Sequence, residues 1–148
     1  MHVVRILVVD DFEPWRRFIS TAIEQEPQLL LIGEVSDGLE AVQKSKELKP
    51  DLILLDLGLP KLDGMAAARQ IRTVSPKSKI LFMTQESSAA VVREAMEIGA
   101  GFLVKTDAGT ELLAAVVGVM SGEQFLSTTA QSDTLEETTT ELAQEEMQ

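Results

Sequence analysis

Short unbroken runs of apolar residues alternate along this chain with segments whose apolar positions recur every three to four residues. The runs are RILVV at 5–9, LLLIGEV at 29–35, LILLD at 52–56, KILFMT at 79–84 and GFLVK at 101–105. Continuous apolar character, rather than alternation with polar residues, marks parallel strands covered on both faces by helices. The pattern predicts five strands and five helices in an α/β sandwich of helix, sheet and helix, with right-handed crossovers.

The helical segments carry their own start and stop signals. In the first, Trp15, Phe18, Ile19, Ala22 and Ile23 form a stripe read as core, with Pro14 in the first turn, where a missing N–H costs nothing. The second, 38–48, ends before Lys49-Pro50. The third, 64–74, begins at Asp63-Gly64 and stops at Ser75-Pro76, because the residue before proline disfavours helix. The fourth, 87–98, is closed by Gly99. Asp107 is expected to cap the fifth, with Leu112, Leu113, Val116, Val117 and Met120 facing inward.

Chemistry-bearing residues follow four of the five strands: Asp10 and Asp11, Asp56, Thr84 and Lys105. Parallel strands point one way, so these four distant pieces meet at the crevice beyond the carboxyl ends, where open α/β sheets hold ligands. Carboxylates from Asp10, Asp11 and Asp56 at one place raise one another's pKa unless a cation joins them. An all-oxygen set of this kind suits Mg²⁺, which prefers to be shared between carboxylates and a phosphoryl group. Asp56, alone at the end of the central strand, is the best placed nucleophile for an aspartyl phosphate. Lys105 supplies a compact positive charge and Thr84 a hydroxyl donor.

Composition narrows the classes. The chain has 148 residues and no cysteine, and its only histidine is His2, which leaves no disulfide framework, thiolate metal site or cysteine nucleophile. No basic leader and no run of membrane-spanning length is visible, so a cytoplasmic protein is expected. Of the 24 acidic residues seven fall in 121–148, which holds no Lys or Arg. An acidic balance without a basic stripe argues against direct contact with nucleic acid and favours protein partners. The stretch 122–148, rich in Thr, Glu, Gln and Ser, is read as an acidic disordered tail after a domain spanning 1–121, with Leu135, Leu142 and Met147 leaving room for a weak helix against a partner.

The ordered set of site residues resembles the receiver domain of bacterial two-component response regulators, over residues 3 to about 120. ILVVDDFEPWR is similar to the acidic-pair segment, DLILLDLGLPKLDGMAAARQIR to the phosphoacceptor segment, and GAGFLVK to the segment carrying the lysine. The resemblance implies a doubly wound, flavodoxin-like sheet of order 2-1-3-4-5. It implies that Asp56 accepts a phosphoryl group from a sensor histidine kinase or phosphotransfer protein. Mg²⁺ would be held by Asp10, Asp11, Asp56 and the Gly58 carbonyl, with Thr84 and Lys105 on the phosphoryl oxygens. It implies a switch through Thr84 and Phe102, read by a downstream protein effector at the face of the fourth helix, fifth strand and fifth helix, where Ala89, Val92 and Met96 would be exposed. Homodimerisation on phosphorylation is a further implication, and the choice of kinase would rest on the first helix around Arg16 and Arg17. Such a domain takes part in its own phosphorylation without being an enzyme on a separate substrate.

Several positions depart from the family pattern. Thr106 stands where a cis proline often follows the lysine, and a trans bond is expected, since a non-proline cis bond costs about 3 kcal/mol. Gln85 replaces the usual small residue after the threonine and could narrow access, while Gly58 and Glu86 leave the lifetime of the phosphorylated state open. The run SGEQFLS resembles the exit from receivers with a LuxR-type helix-turn-helix domain, and no such domain follows in this sequence. The main competing reading is a phosphorylation-independent interaction module. A nucleotide or flavin enzyme is disfavoured because Asp-Asp-Phe-Glu-Pro stands where a Gly-rich cradle would be needed. A hydrolase would need a general acid or base, for which Glu86 is the candidate.

Overall fold

The computed structural model describes residues 2–135. Strands β1 (Val4–Val9), β2 (Leu29–Val35), β3 (Leu52–Asp56), β4 (Lys79–Thr84), β5 (Gly101–Val104) and β6 (Phe125–Leu126) form one parallel sheet of order β2-β1-β3-β4-β5-β6. The helices are α1 (Glu13–Glu24), α2 (Gly38–Leu48), α3 (Gly64–Val74), α4 (Ala89–Ile98) and α5 (Ala108–Met120), and a sixth, α6, covers 128–135. Among the described residues the expectation of five strands and five helices is corrected to six strands and six α-helices, with a 3-10 turn at Lys105–Asp107, on the expected flavodoxin-like α/β plan.

Burial on both faces explains the unbroken apolar runs. Ile6 and Val8 of β1, Leu52 and Leu54 of β3, Leu81 and Met83 of β4, and Leu103 of β5 pack against Ile19 and Ile23 of α1 and Leu112, Val116 and Val119 of α5. The alternate residues Leu7, Val9, Ile53, Leu55, Ile80, Phe82, Phe102 and Val104 pack against Ala41 of α2, Ala68 and Ile71 of α3, and Val92, Ala95 and Ile98 of α4. Asp37, Asp63 and Ser88 cap α2, α3 and α4 by accepting from the N–H groups of Glu40, Ala66 and Val91. Ser88 thus sets the start of α4 two residues later than expected.

Some inward assignments fail on phase. Phe18 is 45% exposed, one position off the Trp15, Ile19, Ile23 line. In α5 nearly every residue is apolar, so periodicity could not choose a face. Leu112 and Val116 are buried, whereas Leu113 and Val117 are exposed. Val92, expected at a partner-reading surface, is buried in the core instead.

The acidic stretch expected to be disordered from residue 122 begins with structure. Phe125 N–H donates to Ala100 O at 3.2 Å and Ser127 N–H to Phe102 O at 3.0 Å, while Ser127 Oγ accepts from Val104 N–H at 3.0 Å, so β6 closes the open edge of β5. Leu126 packs on the core and Ala130 is fully buried. Asp107 does not cap α5. Its carboxylate accepts from Thr129 N–H and Oγ1, both at 2.9 Å, and Glu111 accepts from Thr128 N–H at 3.1 Å, so two acids of the α5 region serve the amino end of α6. Asp133 accepts from the Ser87 hydroxyl. Averaging composition over the whole tail hid the one apolar pair, Phe125-Leu126, that docks it. The rest of the expected tail, with Leu142 and Met147, lies outside the described residues.

Because the extension is held by a few apolar residues, edge hydrogen bonds and the polar anchors at Asp107, Glu111 and Ser87, with few of its own residues in the core, it should open as a separate unit. Ala130→Glu, which places a charge in a packed apolar site, is expected to strip hydrogen-exchange protection from Phe125 and Ser127 while β1 to β5 keep theirs. Equal loss across the sheet would show that the extension and the domain open together.

Candidate functional site

The carboxyl ends of β1, β3, β4 and β5 open into one cleft lined by Asp10, Asp11, Phe12, Asp56, Gly58, Thr84, Gln85, Glu86 and Lys105. Of the expected metal and phosphoryl-binding residues, Asp10, Asp11, Asp56, Gly58, Thr84 and Lys105 all line it, as do Gln85 and Glu86, whereas Phe102 and Thr106 do not. Parallel pairing does this: Asp56 is in register with Met83 on β4, and Thr84 with Val104 on β5, so consecutive strands end side by side.

Asp10 is fully buried and Asp56 is 7% exposed, whereas Asp11 faces solvent. One carboxylate oxygen from each lies within 4.8 Å of the others. Asp10 Oδ1 accepts from Phe12 N–H at 2.8 Å, which folds the chain back after β1 and aims the carboxylate into the cleft. The Arg16 guanidinium donates to the Asp10 carbonyl at 2.7 Å, tying α1 to the end of β1. The Lys105 ammonium sits 2.6 Å from Asp10 Oδ2 and 3.7 Å from Asp56 Oδ1.

One ammonium does not neutralise three carboxylates. Burial, then the charge of Asp10, pushes the Asp56 carboxyl up to about 6, against the pull of Lys105 and the Gly58 N–H. The site therefore carries excess negative charge in a partly desolvated place, and the three oxygens fit a hard divalent cation. A carboxyl at about 6 is mostly ionised at neutral pH.

Thr84 sits at the rim, and its hydroxyl donates to Glu86 O at 2.8 Å rather than toward Asp56. Phe102, at the second position of β5, is completely buried in the core, and its carbonyl accepts from Ser127 N–H. The Lys105–Thr106 bond is trans, as is every described peptide bond. Gln85 and Glu86 are exposed beside the opening. Sequence reasoning missed Trp15 as a site residue by assigning it to the core. Its ring lies over the Lys105 ammonium, 5.0 Å from Nζ to the centroid, a contact between α1 and the end of β5 that no spacing encodes.

The response regulator receiver domain family matches residues 6–117. The chain is 39% identical to the protein CcdB of Bacillus subtilis over 119 residues, 80% of this chain and 98% of that one. It is 35% identical to the transcriptional regulatory protein LiaR of the same organism, over 84% of this chain and 59% of LiaR. Among solved structures, a LuxR-family two-component response regulator from Aurantimonas superposes with a TM-score of 0.87 at 29% identity, covering 93% of this chain and 99% of that one. The receiver domain of NarL from Mycobacterium tuberculosis superposes at 0.78 with 31% identity, covering 83% and 100%.

Proposed function

The chain belongs to the response regulator receiver domain family of two-component systems, and from that premise we propose that it accepts a phosphoryl group on Asp56 from a histidine kinase or phosphotransfer protein. The observation that carries the reading is the meeting of Asp10, Asp11 and Asp56 within 4.8 Å, with a buried ammonium 3.7 Å from Asp56.

In the transfer an Asp56 oxygen attacks phosphorus as the phosphorus–nitrogen bond of the donor's phosphohistidine breaks. An aspartyl phosphate forms and the nitrogen keeps the electron pair. Asp10, Asp11, Asp56 and the Gly58 carbonyl would hold Mg²⁺, which supplies charge neutralisation for the carboxylates and the phosphoryl oxygens. Lys105 moves its charge from Asp10 toward the new phosphoryl oxygens. Thr84, by releasing Glu86 O, gives them a hydroxyl donor and pulls the loop after β4 inward. The domain is then a protein-reading switch, not an enzyme on a separate substrate, that works in the cytoplasm on a protein effector and without direct nucleic-acid contact. Among the described residues no helix is long and apolar enough to cross a membrane.

The runner-up is a phosphorylation-independent interaction module. The exposed Gln85 at the opening and the commitment of the Thr84 hydroxyl to its own loop favour it. Intact mass after incubation with acetyl phosphate separates the two. A single phosphoryl adduct with Mg²⁺ and none with EDTA is expected, and no adduct with acetyl phosphate or a panel of kinases would transfer the assignment to the interaction module.

A further inference from the structure

The Lys105 ammonium has a third neighbour besides Asp10 and Asp56, the face of Trp15. The lysine side chain is only 10% exposed, so the ammonium is largely cut off from water, where attraction to an indole face is at its strongest. The ring is partly buried against the core cluster that α1 and α5 form with the sheet, and it lies beside Phe18, whose ring centroid is 5.2 Å away. Its Nε1 is buried without a hydrogen-bond partner, although a buried indole N–H ordinarily finds one. No polar contact of its own explains the place of this ring. What it presents to the site is its electron-rich face.

We propose that Trp15 is a positioning residue for phosphoryl transfer, holding the Lys105 ammonium beside Asp56 when Asp10 is engaged by a cation. The proposal rests on the phosphoacceptor reading. Asp10 is both the tightest partner of Lys105 and a member of the three-carboxylate set. A divalent ion on that carboxylate weakens its hold on the ammonium and repels the lysine directly. A fourth carboxylate in the place of Trp15 would retain the lysine, but it would push the Asp56 carboxyl still higher. An aliphatic side chain would exclude water without attracting the cation. A neutral ring does both, and it leaves the charge of the cluster unchanged.

Trp15 is the only tryptophan of the chain, so fluorinated tryptophan supplied during expression replaces this ring alone. Fluorine drains the ring face of electron density while nearly preserving its shape. Adduct formation with acetyl phosphate and Mg²⁺, followed by intact mass, should slow stepwise with one, two and three fluorines. Trp15→Leu should be about tenfold slower than wild type and Trp15→Phe within about threefold of it. Trp15→Leu combined with Lys105→Ala should be no slower than Lys105→Ala alone. Melting temperatures of all the proteins are measured alongside, and the fluorinated series carries the test if Trp15→Leu does not fold. Rates indifferent to fluorination, or a Trp15→Leu penalty that persists in full without Lys105, would overturn the proposal, because the ring would then act by packing alone. A readout independent of phosphorylation is Trp15 emission, which Lys105→Ala should change. Unchanged emission would remove the contact itself. Failure of the phosphoacceptor reading shows separately, as wild-type protein that takes no adduct, and would overturn the role given to Trp15 while emission still reports on the contact.

Discussion

Asp56→Asn is expected to take up no phosphoryl group from acetyl phosphate and Mg²⁺ under conditions that modify the parent fully, and in EDTA to be the more stable protein above pH 6. The first effect is all or none, because an amide oxygen at the end of β3 is no nucleophile toward phosphorus. The second follows from the electrostatics. Burial and Asp10 hold the Asp56 carboxyl at about 6, above its ordinary 3.8. Between roughly pH 4 and 6 the folded parent keeps a proton that the unfolded chain has lost, so its stability falls as pH rises through that window. The loss is on the order of 2 to 3 kcal/mol and is complete above pH 6. Asparagine has nearly the same volume and no charge, so the variant should lack this slope. Melting curves in EDTA from pH 4 to 8 should show the two proteins converging at the acid end and separated by about 10 °C at pH 7.5. Parallel curves would show that Asp56 is not under electrostatic stress. An Asp56→Asn protein that still gains one phosphoryl group would place the acceptor elsewhere.

Gly64→Ala should have the opposite sign and comparable size. Gly64 opens α3 against the end of β3, and a Cβ there would lie 2.2 Å from the Asp56 carbonyl oxygen and 2.6 Å from Leu57 Cα. These are backbone atoms, so no side chain can swing aside, and either α3 or the end of β3 must move. A loss of about 3 kcal/mol, or roughly 10 °C in melting temperature, is expected, with slower adduct formation in whatever fraction stays folded. Gly109→Ala is the internal control. Nothing lies within 4 Å of a Cβ at that position in α5, so alanine's better helix propensity should stabilise by about 0.5 to 1 kcal/mol. If both substitutions behave alike, the tight seat of α3 against β3 is not what makes Gly64 a glycine.

The inner strands were legible because burial on both faces writes itself as unbroken apolar runs, and the meeting of Asp10, Asp56, Thr84 and Lys105 followed from parallel strands alone. What escaped had physical causes of three kinds. In α5 an excess of apolar residues erased the phase that would have turned Leu113 and Val117 outward. In the last stretch two apolar residues, Phe125 and Leu126, were enough to dock a segment whose average composition is polar, because an open strand edge was waiting with unpaired N–H and C=O groups. Trp15 stood in a core stripe and does pack against the core, but it is only partly buried, and its ring meets a lysine ninety positions away. Periodicity assigns a side chain to a layer and is blind to what lies at that layer's rim. Asp107 shows the same limit, since a good capping residue beside a helix served a different helix.

β6 also changes what a binding constant for this protein would mean. A partner that recognises the chain by laying a strand along β5 finds that position taken, with Ser127 already bonded to Phe102 and Val104 and α6 anchored at Asp107, Glu111 and Ser87. Its apparent affinity is then its intrinsic affinity multiplied by the fraction of molecules whose last described segment has swung away. Deleting that segment should tighten such a partner by the reciprocal of that fraction, with no new contact formed. A partner that instead grips the outer surface of α6 should lose its binding altogether.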